Sequence, residues 1–64
     1  METRIGEAAG KIWQVLNAEG PVGKARLAKA TGLSRDLLNQ GVGWLAREAK
    51  LVFDEENHLL KLKA

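Results

Sequence analysis

The chain has 64 residues, no cysteine, 28% charged residues and a net charge of +2. That length supports one core near the lower limit of self-sufficiency, and the lack of cysteine excludes a disulfide framework or a thiolate metal site. No charged leader precedes an apolar stretch and no run approaches the roughly 20 apolar residues that span a bilayer, so the expectation is one cytoplasmic domain over 1–64, with no membrane partner, held by packing or self-association.

Thr3 is placed to cap a first helix over 4–18, where Ile5, Ala8, Ala9, Ile12, Val15 and Leu16 recur at helical period and define a core-facing side. Glu7 and Lys11 stand one turn apart outside as an expected ion pair, and Glu19-Gly20-Pro21 ends the helix. Pro21-Val22 leaves room for a short extended link. Gly6 and Gly10 flank Trp13 on one side of this helix, a shelf beside a large ring that suits a contact surface.

A second, short helix is predicted over 23–30. Its Lys24, Arg26 and Lys29, with Arg35, are the bases of an acid-free run from Gly20 to Arg35. Acids outnumber bases elsewhere, and Asp54, Glu55 and Glu56 are consecutive. Gly32 supplies a left-handed turn residue, and Ser34 is the natural cap of a third helix over 35–49.

Along that third helix Leu38, Val42, Leu45 and Ala49 share the inner side, while Asp36, Asn39, Gln40, Gly43 and Arg47 share the outer one. Leu37, Gly41 and Trp44 form a further stripe at i, i+4 and i+7. Gly41 there implies that something approaches closely, either the hairpin of the same chain or a second subunit.

After Lys50 the period changes to alternation. Leu51 and Phe53 share one face, as do Leu60 and Leu62, which predicts a hairpin over 51–54 and 58–63 with its apolar side on the helices. His58 is the only histidine and has no cysteine or second histidine to join it, so no metal site is expected. Ser34, His58 and the carboxylates fall in different elements and no Gly-rich phosphate loop occurs. No catalytic site, cofactor or small-molecule ligand is expected.

The two helices hinged at Thr31-Gly32-Leu33-Ser34 have the spacing of a helix-turn-helix. From Ile5 to Leu62 the order of elements resembles a winged helix-turn-helix domain, a mainly α fold with a small β-hairpin. Within it GVGWLAREAKL, residues 41–51, resembles the segment closing the third helix in a small prokaryotic family of stand-alone winged-helix proteins. In winged domains the link before the second helix often adds a small strand beside the wing.

The resemblance implies duplex DNA as a partner and a transcriptional regulator acting as a homodimer. It maps base contacts onto Arg35, Asn39 and Gln40 and phosphate contacts onto Lys24, Arg26, Lys29 and Ser34. Asp54, Glu55 and Glu56 depart from the pattern: carboxylates at a wing tip repel phosphate, so the tip is expected to point away from any duplex. The alternative is a protein-interaction module without DNA, with Gly6, Gly10, Trp13, Leu37, Gly41 and Trp44 as its self-association surface.

Overall fold

In the computed structural model, which describes residues 3–63, the order is α1 (Thr3–Glu19), α2 (Lys24–Thr31), α3 (Arg35–Arg47), β1 (Leu51–Asp54) and β2 (Leu59–Leu62). The arc predicted along α1 is its core side: Ala8, Ala9, Ile12 and Leu16 are buried, with Ile5 and Val15 half-buried beside them. The side chain of Thr3, expected as a cap, lies outside the described residues. Among the described residues no helix is long and apolar enough to cross a membrane.

The Pro21-Val22 link becomes a one-residue third strand. Val22 donates its N–H to the Leu60 carbonyl at 3.0 Å and its carbonyl accepts from the Leu60 N–H at 2.7 Å. Helix α2 starts one residue later than expected, because Gly23 is still extended, and it closes at Gly32 with φ 72°. Around this turn the Gly32 N–H donates to the Ala28 carbonyl, the Thr31 hydroxyl donates to the Leu27 carbonyl, and the Leu33 N–H donates back to that hydroxyl. The Thr31 hydroxyl thus both donates and accepts at the bend.

Ser34 caps α3 as its position predicts, its hydroxyl accepting from the Leu37 N–H at 3.2 Å. The far end differs from expectation: α3 stops at Arg47, not at 49. Ala49 takes φ 58°, its N–H donates to the Ala46 carbonyl, and the Lys50 N–H donates to the Leu45 carbonyl. That pair of bonds is a Schellman closure, ordinarily built on glycine. Ala49, expected on the inner side, is therefore exposed.

The hairpin is antiparallel with Leu51 opposite Leu62 and Phe53 opposite Leu60, so the four apolar side chains share one face. Leu51 and Leu60 are buried, whereas Phe53, near the turn, is 47% exposed. Strand β2 begins at Leu59 and not at 58, since His58 has φ 55° and belongs to the turn. Histidine is among the residues enriched in that conformation.

The core joins all five elements: Ala9, Ile12 and Leu16 of α1, Leu27 of α2, Leu38 and Leu45 of α3, Leu51 of β1 and Leu60 of β2. Helix α1 lies chiefly on α3. This contact explains Gly41 and corrects both expectations for it, the hairpin and a second subunit. A Cβ at Gly41 would stand 2.7 Å from Ile12 Cδ1 and 3.3 Å from the Ala8 carbonyl carbon and Cβ. The close neighbour is the first helix of the same chain.

Candidate nucleic-acid interface

Helices α2 and α3 meet at the Gly32 turn and present exposed side chains on both sides of a shallow seam. Lys24 Nζ donates to Asn39 Oδ1 at 3.1 Å, tying the first turn of α2 to the second turn of α3. Lys24, Arg35 and Asn39 border a hollow of about 310 Å³ floored by Ala28 and Leu38. Two cations and an amide thus surround one small depression. Arg35, Asp36, Asn39, Gln40, Gly43 and Arg47 are all exposed on the outer face of α3.

The predicted phosphate contacts do not form one basic face. Lys24 and Arg26 are two residues apart on a helix and so point to opposite sides. Lys24 reaches α3, while Arg26 reaches back to α1, donating from Nε to Glu19 Oε1 and from Nη2 to Glu19 Oε2, each at 3.0 Å. The hydrogen bond and charge of Glu19 raise the guanidinium pKa further above its ordinary range. Arg26 therefore carries a local counter-charge. This pair bridges α2 and α1, and among the described residues the expected Glu7–Lys11 ion pair does not form. Lys29 lies exposed in the last turn of α2.

Ser34 accepts the capping bond and keeps its hydroxyl proton to donate elsewhere. It shares a second hollow, of about 330 Å³, with Asp36, Leu37, Gln40 and Arg4 of α1. Sequence reasoning missed Arg4. It stands 36 residues before Gln40, and only the packing of α1 on α3 brings the two together.

The acidic wing tip divides into two kinds of carboxylate. Asp54 turns inward: Oδ1 accepts from the Glu56 N–H at 3.1 Å and the Asn57 N–H at 3.3 Å, and Oδ2 accepts from Asn57 Nδ2 at 2.9 Å. The Asn57 side-chain bond, followed by its backbone bond, holds the Asp54 pKa below the usual carboxylate range. Glu55 and Glu56 stay exposed.

A capped outer helix hinged by glycine to a short basic helix, followed by a hairpin pinned at its edge by the α1–α2 link, is the winged arrangement, and a family model of that description matches residues 1–64. The chain belongs to the winged helix-turn-helix domain family DUF2582. It is similar to the uncharacterized protein MJ1608 of Methanocaldococcus jannaschii, with 33% identity over 64 residues covering 94% of this chain and 91% of that protein. No solved structure matches it.

In this DUF2582 domain only Trp44 of the Leu37-Gly41-Trp44 stripe meets the Gly6-Gly10-Trp13 stripe. Gly6, Gly10, Trp13 and Trp44 line a single hollow of about 390 Å³, with Ala9 and Leu45 beneath. The rings are 41% and 42% exposed, respectively. Leu37 falls in the other hollow, beside Ser34 and Gln40. Gly41 is sealed against α1 and is withdrawn from any intersubunit surface.

Proposed function

We propose that the domain binds duplex DNA as a two-fold dimer and acts as a transcriptional regulator without catalysis. Helix α3 enters the major groove, with Arg35, Asn39 and Gln40 at base edges and Lys24, Lys29 and Ser34 on phosphates. The observation that carries this reading is the Lys24–Asn39 bond. It sets an amide suited to adenine beside an ammonium suited to phosphate, on the exposed seam of a family helix-turn-helix. Arg26 contributes little, because Glu19 already occupies its guanidinium.

With Lys24 and Lys29 on phosphates, counterion release gives a salt slope of about −1.8 per protomer, doubled in a dimer. Titration with generic duplex DNA at two salt concentrations, followed by NMR, should move the amides of residues 23–29 and 34–40 and weaken steeply with salt. No shift at low salt overturns the reading.

A second reading, a protein-interaction module, is favoured by the exposure of Trp13 and Trp44 over the Gly6–Gly10 shelf. It expects both rings to be shielded from quenchers in an oligomer and Lys24→Glu to leave function unchanged. Rings fully quenchable at every protein concentration, in a sedimenting monomer, remove its basis.

A further inference from the structure

Three glycines in the helices meet nothing in the fold: Gly6 and Gly10 of α1 and Gly43 of α3. Gly43 stands apart by its position. Its neighbours one and two turns away are Asp36, Asn39, Gln40 and Arg47, all exposed, so it occupies the middle of the polar outer face. An added Cβ would find no heavy atom within 4 Å, and the backbone there is ordinary right-handed helix. Neither packing nor conformation calls for glycine, which disfavours a helix interior. Gly41, two residues earlier, is the counter-example, required by Ile12 and Ala8.

We propose that Gly43 is where the backbone of α3 comes closest to bound DNA, its missing side chain setting how deeply the helix seats in the major groove. The inference rests on the DNA reading above. Its physical basis is a tight fit. The major groove is about 12 Å wide and 8.5 Å deep, and a helix with side chains is about 10–12 Å across. A side chain at the centre of the groove-facing side holds the helix axis away from the base edges. Asn39 and Gln40, one turn back, then stop short of the bases. A bare Cα at that point lets both side chains reach.

The test compares Gly43→Ala and Gly43→Gln with Asn17→Ala and Gln40→Ala, measuring thermal unfolding and affinity for a generic duplex at low salt. Gly43→Ala should raise Tm by about 4–8 °C for a domain of this size, and yet weaken DNA binding about tenfold, with Gly43→Gln weaker still. Asn17→Ala, at an exposed position of α1 outside both proposed surfaces, should raise Tm by less and leave affinity unchanged. A Gly43→Ala protein that melts earlier than the parent overturns the inference, because the fold then needs this glycine. So does unchanged affinity in both Gly43 variants when Gln40→Ala loses binding, in which case the DNA reading stands. A parent domain that binds no duplex overturns both.

Discussion

The inner and outer sides of α3 use the same residue for opposite ends. At Gly41 the absence of a side chain is filled by α1, with Ile12 Cδ1 where a methyl group would collide. At Gly43 it is filled by nothing in the chain. A helical glycine costs roughly 1 kcal/mol relative to alanine. On the inner side, close packing of two helices around a buried isoleucine offsets that cost. On the outer side no intrachain contact offsets it. The difference separates a glycine that the packing requires from one that it does not.

The largest test of this contrast is Gly41→Leu, which overpacks the α1–α3 seam and should cost about 3 kcal/mol. In a domain this small that loss should be seen as an early urea midpoint. Gly41→Ala is milder, and its cost should shrink in an Ile12→Val background that lacks the clashing Cδ1. A coupling below about 0.5 kcal/mol in that double-mutant cycle breaks the assignment of Ile12 as the neighbour that matters. Ser34→Ala removes the cap on which the outer face is built and should cost about 1 kcal/mol in the same urea experiment.

Ala49→Gly works the other way. It relieves the left-handed strain at the end of α3 and should add about 0.5 kcal/mol after the flexibility of glycine is discounted. The smallest effect is local to the wing. The pKa of Asp54 is lower in the folded state, so its carboxylate stabilises the turn above its ordinary value of about 3.9 and that contribution fades as pH falls through the lowered value. The Glu56 and Asn57 amide resonances should titrate together below pH of about 3.9, and a midpoint at or above it sinks the inward role assigned to Asp54.

Features carried by neighbouring residues were legible in the sequence. The arc from Ile5 to Leu16, the Gly32 turn, the Ser34 cap and the alternation after Lys50 each depend on spacings of a few positions, and each has the role its spacing predicts. Features settled by distant partners were not. Gly41 announced a close neighbour but not which one, Arg26 gave no sign of Glu19, and Arg4 none of Gln40. Two local features also escaped. Ala49 closes α3 in a conformation that glycine usually signals, and Asp54 looked like the neighbour of Glu55 and Glu56 although its oxygens are spent on the turn.

The two hydrogen bonds between Val22 and Leu60 join positions 38 residues apart. They are the backbone bonds that fasten the hairpin to the α1–α2 link, so they open when the wing leaves the helices. The hydrogen-exchange rate of the Val22 amide should then follow the docking of the wing as a unit, a single reporter of whether hairpin and helices separate before the core itself comes apart.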